Sequence, residues 1–122
     1  MKDDYTRNAT VVRVIDGDTV ALDVDLGFYV SVRMSCRLAG LNARELRDAG
    51  GPEARDHLAR LLPVGQAVVV RSVEADKYAG RFIAVIVRNG ESVNGRLLAE
   101  DWAAPYDGHG LTSEHVPPWP RP

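Results

Sequence analysis

Three short strings in this 122-residue chain bring together side chains that could do phosphate chemistry. They are Val14-Ile15-Asp16-Gly17-Asp18-Thr19-Val20, Arg37-Leu38-Ala39-Gly40-Leu41-Asn42-Ala43-Arg44-Glu45 and Asp76-Lys77-Tyr78-Ala79-Gly80-Arg81. Each is ordinary alone, because Asp and Gly populate turns for conformational reasons and a charged strand or loop residue is commonly just solvated. Together they supply carboxylates for a hard cation, two arginines for a phosphate and one glutamate able to handle a water. Cutting a phosphodiester needs those parts. The diester repels an incoming nucleophile, and the transition state gains negative charge on its non-bridging oxygens. A cation with oxygen ligands stabilises that charge directly. Guanidinium groups add bidentate hydrogen bonds in a fixed geometry that lysine does not reproduce. A carboxylate that takes the proton of the water contributes about 10²–10⁴-fold.

These strings must be positioned by the elements around them. Asp16-Gly17 separates two strand-like runs and predicts a hairpin with a type I′ turn. Val20, Leu22 and Val24 then alternate with Ala21, Asp23 and Asp25, the period of a half-buried strand. A third run places Val30, Val32, Met34, Cys36 and Leu38 on one face and Ser31, Arg33, Ser35 and Arg37 on the other, so Arg37 points away from the core. Gly50-Gly51-Pro52 breaks the chain, with Pro52 suited to the first position of a helix. Ala54, Leu58, Leu61 and Leu62 recur at helical spacing up to Pro63. Residues 67–73 and 81–87 read as strands, Asn89-Gly90 as a tight turn, and Val93 to Trp102 as a second helix with Val93/Leu97 and Leu98/Trp102 pairs. Beyond Tyr106 the chain turns to Gly, His and Pro, which excludes a regular helix or a central strand. The order predicts an α+β, mainly β domain over residues 1–108: a five-stranded OB-like barrel with two or three helices, followed by a Pro-rich tail over 109–122. An open α+β sheet is the alternative.

Composition bounds the function. The net charge of −2 excludes a broad basic surface, so any nucleic-acid contact must come from a local cluster of cations. The single cysteine, Cys36, excludes an intrachain disulfide and a Cys-based zinc site. His109 and His115 have no metal-ligand spacing. No apolar run approaches the roughly 20 residues of a membrane span, and the N-terminus lacks a signal-peptide core. The sequence as it stands therefore reads as a cytoplasmic protein without a membrane role, and a monomer is expected.

The joint pattern resembles the staphylococcal-nuclease-like (thermonuclease) family. That family shows an I-D-G-D-T hairpin, an arginine-led loop ending in P-E, a G-P-E-A helix start and a D-K-Y-G-R turn before a strand. Their counterparts here are Ile15–Thr19, Arg37–Glu45, Gly51-Pro52-Glu53-Ala54 and Asp76–Arg81, and the match runs from about Val11 to Tyr106. The resemblance implies a five-stranded OB-like barrel and a metal-dependent nuclease leaving 3′-phosphate ends. It also implies roles, position by position. Asp18 would be a direct ligand of Ca2+, with Mg2+ or Mn2+ as substitutes, and Asp16 a nearby carboxylate or compensating ligand. Ala43 would offer its main-chain carbonyl. Asn42 stands where the family has a second metal-binding Asp, which removes one ligand charge. Glu45 would activate the water, Arg37 and Arg81 would grip the scissile phosphate, and Lys77 and Tyr78 would hold a neighbouring one. Tyr106 is the counterpart of an aromatic residue that stacks on a base. Two further departures are Arg44 in place of Pro, which adds a cation, and Ala79, one residue extra before Gly80-Arg81.

The expected function is a divalent-metal-dependent endonuclease acting on single-stranded or unpaired DNA, and secondarily RNA, with little sequence preference. The alternative is an OB-like module that binds nucleic acid or a protein through the same groove without efficient cleavage.

Overall fold

In the computed structural model of the chain, residues 5–75 and 81–106 are described, Glu74 and Ala75 by their backbone alone. The alternating runs form β1 (Thr6–Asp16), β2 (Thr19–Gly27) and β3 (Val30–Leu38), an antiparallel meander. Then come β4 (Leu41–Ala43), α1 (Gly51–Leu61), β5 (Ala67–Ala75), β6 (Arg81–Arg88), β7 (Glu91–Ser92), α2 (Val93–Ala99) and β8 (Ala103–Pro105). The main sheet runs β3-β2-β1-β5-β6-β7, and β3 also pairs with β6 in parallel, Ser35 opposite Arg81 and Arg37 opposite Ile83. That pairing closes β1, β2, β3, β5 and β6 into a five-stranded barrel. The fold is the α+β, mainly β, OB-like barrel with two helices that the alternation predicts. Register shifts at Val11/Arg13, Val14/Asp16 and Ser72/Glu74 let long strands bend tightly enough to close.

The barrel core is Val11, Val20, Leu22, Cys36, Leu38 and Ile86, sealed by Leu58 and Leu62 of the α1 segment and Leu97 of α2, all essentially without solvent contact. Each such aliphatic side chain stabilises the fold by roughly 1.5–3 kcal/mol relative to exposure. Helix α1 lays Ala54, Leu58 and Leu61 inward; Pro52 opens it, with Glu53 in the first turn and Arg60 in the last, as the helix dipole favours. Helix α2 is capped by Ser92, whose hydroxyl accepts from the Gly95 N–H at 3.0 Å.

Four local features differ from the sequence expectation. The hairpin at Asp16-Gly17 forms, but with Asp16 opposite Thr19 and neither Gly17 nor Asp18 at positive φ, so it is not type I′. Glycine is required at position 17 by space, because a Cβ there would sit 2.8 Å from Ala43 Cβ and 3.0 Å from Ala54 Cβ. Helix α2 stops at Ala99 rather than Trp102. Asp101 takes φ 60°, its N–H bonds Leu98 O at 3.2 Å and the Trp102 N–H bonds Leu97 O at 2.9 Å, a Schellman ending. Trp102 thus leaves the helix and stacks on the His57 ring, centroids 4.0 Å apart. Val30 and Val32 belong to no core, being 52 % and 37 % exposed, because the β2–β3 hairpin is longer than the barrel it helps to close. Lastly, Leu41–Ala43 is a short strand paired with Ala103–Pro105 rather than a loop.

Candidate active site

The turn after β1 and the strand β4 meet over Gly17, whose bare Cα lets Ala43 approach. Asp18 therefore faces Ala43, and its Oδ2 accepts the Ala43 N–H at 3.0 Å. Its Oδ1 accepts from the Thr19 hydroxyl at 3.0 Å, and the Asp18 N–H bonds Asp16 Oδ1 at 3.1 Å. Burial, first, and the adjacent Asp16 carboxylate push Asp18 up to about 7, against the opposing pull of the Ala43 N–H and Arg37. Two acids so close, one of them buried, are costly when both are charged, and a proton or a cation relieves the cost.

Arg37 leaves β3 on its outer face. Its Nη2 donates to Asn42 Oδ1 at 3.1 Å and to Leu41 O at 3.3 Å, and lies 3.8 Å from Asp18 Oδ2. The guanidinium also sits over the Tyr106 ring, 5.4 Å from its centroid, within cation–π range. Arg81, at the start of β6, is two rungs away across the parallel pairing.

Glu45 follows β4 in a turn closed by the Asp48 N–H on Glu45 O at 2.9 Å, and that turn presses on α1, whose Gly51 has no room for a Cβ against Glu45 O. The Glu45 carboxylate is half exposed and meets Arg47 Nε at 2.7 Å.

These residues line one open cavity of about 590 Å³: Asp16, Asp18 and Thr19 from the first turn, Arg37 from β3, Asn42 to Arg47 from β4 and its loop, and Arg81 from β6. Asp16, Asp18, Arg37, Asn42, Ala43, Glu45 and Arg81 are thus brought together from three separate stretches of sequence. Tyr106 borders the group through Arg37. Lys77 and Tyr78 lie outside the described residues, as do His109 and His115. Ala43 turns its N–H, rather than its carbonyl, toward Asp18.

Three contributors are assigned no role by the sequence patterns. Thr19 fixes one oxygen of Asp18. Arg47 joins Arg37, Arg44 and Arg81, making four guanidiniums at one cavity in a chain of net charge −2. Asn94, buried on α2, accepts the Ile86 N–H at 3.0 Å and donates to Ala39 O at 3.0 Å and Ala84 O at 3.1 Å. It thereby ties β6 to the chain leading into β4. A single polar residue in an apolar helix face was the only sequence signal for it.

Among the described residues no three His, Cys, Asp or Glu side chains gather. The oxygen donors lining the cavity are the Asp16, Asp18 and Glu45 carboxylates, which do not gather at one point, the Thr19 hydroxyl, the Asn42 amide and main-chain carbonyls. That is a hard-cation donor set with few charges. Comparison of the chain with protein-family models and with curated proteins finds no match.

Proposed function

We propose that this chain is a divalent-cation-dependent nuclease of the staphylococcal-nuclease-like kind, cleaving phosphodiesters in single-stranded or unpaired DNA and, secondarily, RNA. The observation that carries the proposal is the shared cavity. Asp16 and Asp18, Arg37 and Arg81, and Glu45 come from distant parts of the sequence and line the same 590 Å³ space. The charge pattern fits a diester, with four guanidiniums for the anion and a carboxylate pair beside them.

In this reading Arg37 and Arg81 hydrogen-bond the non-bridging oxygens of the scissile phosphate. Donors aimed at developing charge are each worth roughly 3–4 kcal/mol of transition-state stabilisation. Glu45 accepts the proton of the attacking water as its oxygen bonds to phosphorus. The bond from phosphorus to the 5′-oxygen breaks, and that oxygen departs with a proton from solvent, leaving a 3′-phosphate. Asp18, Asp16 and the Asn42 amide would hold the cation, preferentially Ca2+ and alternatively Mg2+ or Mn2+. Bound there, the cation would neutralise charge on the phosphate. The largely buried Asp18 carboxylate beside Asp16 supports that assignment, since Asp18 is driven toward its protonated form when no cation shares the site. Tyr106, already against Arg37, is placed to stack on a base; Lys77 and Tyr78 are assigned to a neighbouring phosphate on the sequence pattern alone.

The test is incubation with labelled single-stranded DNA in Ca2+, Mg2+, Mn2+ or chelator. Metal-dependent fragments are expected, and no cleavage with any of the metals overturns the proposal. One observation favours the second reading, a binding module: Arg37 is occupied by Asn42 and the Leu41 carbonyl, contacts it would have to share with a phosphate. Binding of the same DNA without cleavage would select it.

A further inference from the structure

The end of the barrel opposite the candidate site is unfinished. From the Thr19–Arg37 rung to the Gly27–Val30 rung, β2 and β3 run eight residues, about 26 Å of strand. Their inward face is apolar throughout, but the barrel covers only its first half. Leu26, Val30 and Val32 are 49 %, 52 % and 37 % exposed. Leu26 and Val32 border an apolar opening of about 290 Å³, also lined by Val24, Met34, Val70 and Phe82 and flanked by Tyr5 and Arg7. The inward faces of all five barrel strands contribute to it.

The tip of the same hairpin is equally unusual. Gly27 pairs with Val30, so Phe28 and Tyr29 are the two central residues of the turn, at φ 55° and 61°. A two-residue turn with both φ values positive favours Asn-Gly, and bulky side chains there are strained. Both rings are nevertheless presented to solvent, Phe28 at 97 % exposure and Tyr29 fully. The arm that carries them is cross-linked by side-chain contacts. On its outer face Arg33 spans the strands to Asp23 with bonds of 2.9 and 3.2 Å, and Asp25 Oδ1 accepts the Gly27 N–H at 2.7 Å. Strain and exposure of two aromatic rings at one point serve nothing in the isolated fold.

We infer that this end is a contact surface between two copies of the chain, related by a two-fold axis, in which the Phe28–Tyr29 tip of each copy enters the barrel mouth of the other. Knob and hole lie at one end of the molecule and share Leu26 and Val32, so a two-fold operation satisfies both at once and closes without a fibre. The sizes agree. A cavity of about 150 Å³ holds a benzene, so the mouth has room for an aromatic ring with its neighbours. Four rings burying roughly 150–250 Å² each give roughly 600–1,000 Å². The half-exposed Leu26, Val30, Val32 and Tyr5 of both copies bring the total to about the 1,200 Å² at which specific interfaces begin. The surface lies at the far end of β2 and β3 from Asp18 and Arg37, so the inference stands whether or not the chain is a nuclease.

The experiment is sedimentation velocity of the full chain, from low micromolar to near-millimolar concentration, beside the double variant Phe28→Asn/Tyr29→Gly. That pair suits the turn, so the variant is expected to fold and to melt no lower than the parent when dilute. The parent should pass from monomer to dimer, and the variant should associate at least about 100-fold more weakly. A parent that stays monomeric throughout, or a variant that dimerises equally well, overturns the inference. A monomeric parent whose binding to labelled single-stranded DNA is lost in the variant overturns it in favour of base stacking at the tip.

Discussion

Arg37 donates from Nη2 to the amide oxygen of Asn42 at 3.1 Å, and so, in the proposed function, the residue at position 42 is shared between the groups that would face phosphate and those that would face a cation. An amide at this position satisfies the arginine while adding no negative charge beside Asp18. Replacing Asn42 with Asp keeps the contact to Arg37 and adds a ligand charge. Calcium affinity, read by calorimetry, should tighten by about tenfold or more, the scale on which groups around a metal act. Unchanged affinity would remove position 42 from the cation site.

Arg37→Ala and Arg81→Ala should each lower kcat by about 10²–10³-fold, and Arg37→Lys should recover little of the loss because a lysine does not reproduce the planar fork. Glu45→Gln should cost about 10²–10⁴-fold. Single-turnover cleavage of labelled single-stranded DNA measures all four, with thermal melts run alongside because Arg37 also braces Asn42 and Leu41 O. Cleavage indifferent to all four substitutions would dismiss the residue assignments.

Asp18 gives a pH signature without any substrate. Its carboxyl, buried and beside Asp16, sits at about 7 against an ordinary 3.8. Between those values the folded chain keeps a proton that the unfolded chain has released. The associated stability is therefore fully present below the unfolded value and is lost as pH rises through about 7. In chelator, the difference in urea midpoint between the parent chain and Asp18→Asn should shift against the parent as pH is raised from 4 to 8. Adding Ca2+ at pH 8 should restore the parent. A difference that does not change with pH would mean that Asp18 is charged throughout.

Asn94 answers three main-chain groups with one side chain, two of them on β6 and one at Ala39. Asn94→Leu leaves the Ile86 N–H and the Ala39 carbonyl without the amide in the interior, each worth about 1–3 kcal/mol, while Ala84 O keeps the Ala39 N–H at 2.8 Å. Chemical denaturation should show a loss of at least about 2 kcal/mol. Because Ala39 leads into β4, nuclease activity per folded molecule should fall as well. A loss below 1 kcal/mol would mean that water replaces the amide.

The barrel was legible because its signals are local and periodic: the alternation in β1 to β3, Pro52 before an apolar helix face, Asn89-Gly90 at positive φ. The features that escaped are those set by what touches a residue across the fold. Gly17 looks like a turn glycine, yet its need is space beside Ala43 and Ala54. Val30 and Val32 continue the apolar alternation of β3, and alternation does not reveal where a barrel stops. Trp102 continues the spacing of α2, but Asp101 at positive φ ends the helix first. At the candidate site, the residues with chemistry-bearing types were visible as strings. The Arg37–Asn42 contact, the Glu45–Arg47 pair and the stitching by Asn94 were not, since each depends on a main-chain path that no string encodes.

Arg37 and Arg81 stand on β3 and β6, two strands far apart in sequence that adjoin only along the parallel seam closing the barrel. A partly assembled sheet, however well formed elsewhere, would hold the two guanidiniums apart. The phosphate grip proposed for Arg37 and Arg81 thus requires the β3–β6 pairing to be in place. Any brief parting of that seam would switch the cavity off while most of the sheet stayed intact, so mild denaturant should silence the chain before its bulk spectroscopic signal moves.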